Sequence, residues 1–93
     1  VQMIPGKKNS CIIFGGEPTV QVKGKGKGGR NQELILQILK LIQNSDHRVI
    51  ASSISTDGID GNTTCSGAII ENNSFSLQEI SSYLENNDSY SFF

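Results

Sequence analysis

From Asn31 onward the sequence changes period. Leu34, Ile35, Ile38, Leu39, Leu41 and Ile42 recur at helical intervals, with Gln32, Glu33, Gln37, Lys40 and Gln43 on the opposite, wet side. This spacing predicts an amphipathic helix, and any fold available to the chain must build its core on that apolar face. Asn44-Ser45-Asp46 ends the pattern. The entry to the helix is unusual: residues 22–33 read VKGKGKGGRNQE, with four glycines and four positive charges before the apolar rhythm takes hold. Three readings of that loop compete: a phosphate cradle at a helix N-terminus, a basic linker without fixed structure, and a nucleic-acid-binding strip of the Arg-Gly-Gly kind.

The flanking segments supply candidate strands. Residues 10–14 form a short apolar run closed by Gly15-Gly16, the pattern of a buried strand ending in a turn. Thr19-Val20-Gln21-Val22 alternates and is β-branched, which suits a half-buried strand, at an edge because Pro18 is close by. Residues 48–54 read as a strand buried on much of both faces, as in a parallel sheet, so that strand, helix and strand suggest a right-handed crossover. Residues 67–70 fit a strand or a helix equally well. Ser76 with Glu79 matches a capping box opening a helix over Leu77, Ile80, Tyr83 and Leu84. The expected fold class is α/β: a small mixed β-sheet domain with flanking helices and a Gly-rich loop leading into a helix, with residues 1–93 forming a single partial domain. The aromatic run Tyr90-Ser91-Phe92-Phe93 has no stop signal after it, so the domain is expected to be incomplete at its C-terminal end.

Composition narrows the function classes. With 35% hydrophobic residues and no Trp in 93 residues, the core is expected to be thin, and a second domain to cover part of it. All eight Lys and Arg residues precede Val49, and six of the nine acidic residues follow Arg48. A net charge of −1 split in this way argues against nucleic acid and for a site facing an anion. Cys11 and Cys65 have no CxxC partner and no neighbouring His, which speaks against zinc and against a disulfide framework, so a reducing cytoplasm is the expected compartment. No apolar run is long enough to span a membrane, and no signal-peptide pattern is present.

Two loops carry the chemistry. Gly24, Gly26 and Gly29 satisfy G-x-G-x-x-G between a candidate strand and a helix, but the preceding strand alternates and the turn carries Lys25 and Lys27, which weakens a dinucleotide reading. The P-loop pattern is absent. Anion binding needs neither fingerprint: the amides of Gly26, Gly28 and Gly29 can converge into a nest, the following helix aims its free N–H groups at the same place, and Arg30 adds a planar fork for two oxygens. The plainer alternative is a flexible loop with solvated lysines. Asp57 and Asp60, in the Thr56-Asp57-Gly58-Ile59-Asp60-Gly61 loop after a strand, can hold Mg²⁺ through water, orient a hydroxyl or accept its proton. Otherwise they cap their own turns.

Taken together, Gly15-Gly16-Glu17-Pro18-Thr19-Val20, the loop from Val22 through Arg30-Asn31-Gln32-Glu33-Leu34, the Ser55 to Gly61 loop and the final Asn87-Asp88-Ser89-Tyr90-Ser91-Phe92-Phe93 resemble the C-terminal MOFRL domain of the type-2 glycerate kinases. The resemblance spans nearly the whole chain. It implies one wall of an active site in the cleft with a larger N-terminal domain, where ATP and Mg²⁺ convert D-glycerate to 2-phosphoglycerate, with the 93-residue chain inactive alone. Arg30 and Asp57 are then the catalytic candidates. Lys25, Gly26, Lys27, Gly28, Gly29, Asn31, Glu33, Thr56 and Asp60 become candidates for holding substrate or phosphate, and Asp57 a candidate metal ligand. Asn62 stands where the family usually has Pro. A non-catalytic anion-binding or regulatory module is the alternative, with an NAD(P)-dependent hydroxypyruvate reductase and a nucleic-acid binder behind it.

Overall fold

A computed structural model describes residues 9–72 and 75–93. Its elements in chain order are helix α1 (Arg30–Ile42), strands β1 (Ile50–Ile54) and β2 (Gly67–Glu71), and helices α2 (Leu77–Glu85) and α3 (Ser89–Phe92). The α/β class holds, with one small sheet and helices packed against it. The core forms where α1 crosses the inner face of the sheet: Ile35, Leu36, Leu39 and Ile80 are fully buried and Ile70 nearly so. Each such side chain contributes roughly 1.5–3 kcal/mol of transfer free energy. Ala51 and Ala68 on the inner strand face are small enough to let α1 come close.

Helix α1 lies where its spacing predicts, but its buried stripe is rotated. Leu36 is at the centre of the core, whereas Leu41 and, more modestly, Leu34 face outward. Gln32, Glu33 and Gln43, expected on the wet side, are buried. The stripe 32, 36, 39 and 43 has helical period too, and its polar members sit at the two ends, where loops pack over the helix.

Strands β1 and β2 pair antiparallel, Ile50 opposite Glu71 through Ile54 opposite Gly67. The ladder is prolonged at one end by Ser55 N–H donating to Ser66 O (2.7 Å), and at the other by reciprocal bonds between Val49 and Asn72. The expected parallel crossover is therefore not formed among the described residues: residues 10–14 and 19–22 carry no strand, and the two-stranded sheet is reached by neither. Residues 67–70, ambiguous in sequence, are strand. The apolar residues on both faces of 49–54 belong to an alternating strand with isoleucines on its outer face, where Ile50 and Ile54 lie beside Ile69, all exposed.

The capping position opening α2 is as the sequence indicates, with Ser76 Oγ accepting from Glu79 N–H at 3.3 Å. Ile80, Tyr83 and Leu84 dock this helix on α1. The aromatic end of the chain folds back as α3, and Phe92 becomes the hub of a ring cluster with Phe75, Tyr83 and Phe93 at centroid distances of 5.4, 5.6 and 5.3 Å.

Candidate functional site

The glycine loop does not stand open. The amides of Lys23 and Gly24 both donate to Asn87 Oδ1 (2.6 and 2.8 Å), Gly26 N–H to the Asn86 carbonyl (2.8 Å), Lys27 N–H to Asp88 Oδ1 (2.9 Å) and Gly28 N–H to Asn62 Oδ1 (3.0 Å). Tyr90 N–H returns a bond to the Lys27 carbonyl at 2.9 Å. Lys27 N–H and the Ser91 hydroxyl hold the Asp88 carboxyl below its ordinary range. A Cβ at Gly24 or Gly26 would collide with the backbone of Asn86, and at Gly26 also with Asp88. These glycines serve close approach of the chain to its own 86–88 turn, whose Asn87 takes a left-handed φ of 52°. The Asn86-Asn87-Asp88 cluster at the end of a predicted helix is the sequence signal for this partner.

The first turn of α1 is likewise occupied. Asp60, 2% exposed, accepts from Asn31 N–H (2.9 Å) and Asn31 Nδ2 (3.0 Å) on Oδ1, and from Gln32 N–H (2.8 Å) on Oδ2. A carboxylate here satisfies helix amides that would otherwise lack partners and meets the positive end of the helix dipole. Around it, Ser53 Oγ donates to Asn31 Oδ1, Gln32 Nε2 to Thr63 Oγ1, and Thr63 Oγ1 to the Asp60 carbonyl. Asn31 and Asp60, candidate ligands in the sequence, thus lie in a sealed polar knot. Gln32 and Thr63 were not singled out and belong to it. Gly58 (φ 83°) and Gly61 (φ 59°) turn the loop in left-handed conformations that other residues rarely adopt.

What remains on the surface is a rim. Arg30, the first residue of α1, points its Nη1 at Glu17 Oε1 (2.7 Å), with both side chains well exposed. In the loop after β1, Asp57 Oδ1 accepts from Ser55 Oγ (2.7 Å) and Ile59 N–H (3.1 Å). The Ile59 amide chiefly, then the Ser55 hydroxyl and more weakly the charge of Arg30, hold the Asp57 carboxyl below its ordinary value. Arg30 and Asp57 therefore share an electrostatic neighbourhood, with exposed Thr56 beside them. Lys25 and Lys27 are exposed, and Lys27 Nζ lies 4.7 Å from the centre of the Tyr90 ring. Glu33 is buried on the flank of α1, and that burial raises its carboxyl pKa against the lowering effect of Asn87 Nδ2 (3.0 Å). Arg30 and Glu33 line a groove of about 650 Å³ together with Val20, Lys23, Leu34 and Lys40.

Among the described residues no group of three or more His, Cys, Asp or Glu side chains is placed to hold a metal ion, and no helix is long and apolar enough to cross a membrane. Cys11 and Cys65 are both free.

Residues 10–93 match the MOFRL family. The chain is similar to a glycerate 2-kinase of Picrophilus torridus (46% identity over 84 residues, covering 90% of this chain and 20% of the relative). It is similar also to a D-glycerate 2-kinase of Thermotoga maritima (43% over 91 residues, 92% and 22%) and a glycerate kinase of Rattus norvegicus (43% over 91 residues, 89% and 17%). The chain spans about a fifth of the length of these relatives. No solved structure matches it at a significant level.

Proposed function

The chain belongs to the MOFRL family, and we propose that it forms one wall of an active site that phosphorylates D-glycerate from ATP, giving 2-phosphoglycerate. The observation that carries this reading is the Arg30–Asp57 rim: a guanidinium and an ionised carboxylate, both exposed, on a domain whose glycine-loop amides from Lys23 to Gly28 are used internally. The names of the relatives supply the reaction class. The second wall belongs to a larger N-terminal domain in the same reading.

In the reaction, the C2 hydroxyl oxygen of glycerate bonds to the γ-phosphorus as the bond to the bridging β,γ-oxygen breaks, ADP leaves and the hydroxyl proton is released to solvent. Arg30 offers a planar fork to the glycerate carboxylate or to the oxygens of the moving phosphoryl group, where fixed charge stabilises the loose transition state. To do so it must exchange Glu17 for the substrate anion. The Ile59 amide and the Ser55 hydroxyl hold the Asp57 carboxyl low, so it faces the substrate ionised and can orient the hydroxyl as an acceptor. Mg²⁺ bound with a nucleotide keeps most of its waters and needs only one or two protein carboxylates. Asp57 fits as one such ligand, since both of its described hydrogen bonds fall on Oδ1, and the ion supplies neutralisation of phosphate charge.

The loop of Gly24 to Gly28 gives its amides to Asn86, Asn87, Asp88 and Asn62, which leaves a dinucleotide or free-anion module without its main donors. Lys25 and Lys27 add diffuse positive charge beside the rim.

The test is phosphorylation of D-glycerate by the full-length protein with MgATP, the product distinguished as the 2- or 3-phosphate by ³¹P NMR. Asp57→Asn should leave the melting temperature unchanged and lower turnover by about 10²-fold, the loss typical of one preorganised contact. Absence of phosphorylation, or turnover by the 93-residue chain alone, overturns the reading.

A further inference from the structure

The Asp60 carboxylate joins the two residues of the rim without reaching it. Its oxygens hold the amides of Asn31 and Gln32, and Arg30 is the residue before Asn31. Its backbone belongs to the loop that presents Asp57 three residues earlier, closed by Asp60 N–H donating to the Cys65 carbonyl (2.8 Å). The contact is clamped on both sides. Gly29 approaches so closely that a Cβ there would strike the Asp60 carboxyl, and a Cβ at Gly61 would strike the Gly28 carbonyl. Asn62 holds Gly28 through its side chain, and Ser53 from β1 fixes the Asn31 amide so that Nδ2 faces Asp60.

We propose that Asp60 is a positioning residue: its buried carboxylate fills the seat that helix α1 would offer an external anion, and so sets the bearing of Arg30 toward Asp57. The assignment rests on the kinase reading above. It removes Asp60 from the groups that touch substrate and gives it a distance to hold. The seat has two consequences. The substrate anion is met by the Arg30 side chain rather than by the α1 amides, and any displacement of the seat moves Arg30 relative to the Asp57 loop.

Removing the carboxylate leaves two helix amides and the Asn31 side-chain N–H group facing a void the size of a small carboxylate, which formate can refill. The experiment uses the full-length protein and its Asp60→Ala and Asp60→Asn variants, with kcat and KM for D-glycerate and melting temperature measured against sodium formate, and sodium chloride as the ionic-strength control. Asp60→Ala should lose roughly 10²-fold in kcat, the scale of a 1 Å misplacement, and formate but not chloride should recover part of both activity and melting temperature. Formate should leave the wild type unchanged. Asp60→Asn keeps the shape and one acceptor oxygen and should fall between the two.

A folded variant of either kind with wild-type kcat and KM overturns the proposal, as does formate that restores melting without activity. If Asp60→Ala does not fold, Asp60→Asn decides by the same kinetic criterion. Wild-type protein inactive on D-glycerate marks the kinase reading as the failure, and formate that then leaves the melting of Asp60→Ala unchanged overturns the seat as well.

Discussion

Asn87 is the residue through which the glycine loop, α1 and the end of α2 are joined, and its replacement has a calculable cost. Its Oδ1 accepts from the amides of Lys23 and Gly24, and its Nδ2 donates to Glu33 Oε1. Each of these three bonds contributes about 1 kcal/mol net, and the left-handed backbone (φ 52°) costs an alanine roughly another 1 kcal/mol. Asn87→Ala should therefore destabilise by about 4 kcal/mol, and Asn87→Gly, which loses the same bonds without the steric penalty, by about 3 kcal/mol. In a domain of this size 1 kcal/mol corresponds to about 4–8 °C, so the two variants should melt measurably apart. Urea denaturation of wild type and both variants, followed by circular dichroism, gives the numbers. A loss below about 1 kcal/mol for Asn87→Ala would show that water replaces the side chain and that the loop is not held there. Equal losses for Ala and Gly would refute the backbone part of the reasoning.

Arg30→Lys should be nearly as damaging to D-glycerate phosphorylation as Arg30→Ala, about 10²-fold or more, because an ammonium cannot reproduce a bidentate fork; retained activity in steady-state kinetics would reduce the arginine to a diffuse charge. Gly26→Ala should destabilise by about 1–3 kcal/mol, since the new methyl meets Asp88 and the Asn86 backbone, while Gly15→Ala, with open space around it, should be close to neutral in the same melting experiment. The Glu33 carboxyl is raised by burial, so its contribution is fully present below its unfolded pKa of 4.5 and is lost as pH rises through the folded value. Glu33→Gln, which keeps an acceptor for Asn87, should flatten that limb of the stability curve, and an unchanged curve would place the pH dependence elsewhere.

The fold was legible where one local rule sufficed. The spacing of Ile35, Leu39 and Ile42 gives α1, and Ser76 with Glu79 gives the start of α2. It was less legible where the outcome depends on which segments meet. Periodicity alone cannot distinguish a strand covered on both faces from one whose outer isoleucines face solvent, so β1 reads as parallel and pairs antiparallel. The phase of α1 was lost for a related reason. Gln32, Glu33 and Gln43 count as polar in any sequence pattern, yet Gln32 reaches Thr63 and Glu33 reaches Asn87, and those partners are more than 30 and 50 positions away.

The glycine loop shows how the same physics can serve two ends. Close-approach glycines, converging amides and a helix N-terminus are what an anion site requires, and the sequence contains all three. They are also what a chain requires to bring its own carboxylates and carboxamides against its backbone. The choice turns on whether an acceptor of the right length lies within reach, and here Asp60, Asp88, Asn62, Asn86 and Asn87 all do. Internal acceptors have the advantage of effective concentration over any free anion, so the amides are taken before a ligand arrives. In the proposed kinase reading, recognition then falls to side chains that the internal network orients but does not consume. Arg30 fits that reading, since its partner Glu17 is an exposed carboxylate in a surface ion pair worth only about 0–1 kcal/mol, which an anion proposed to bind there would have to displace.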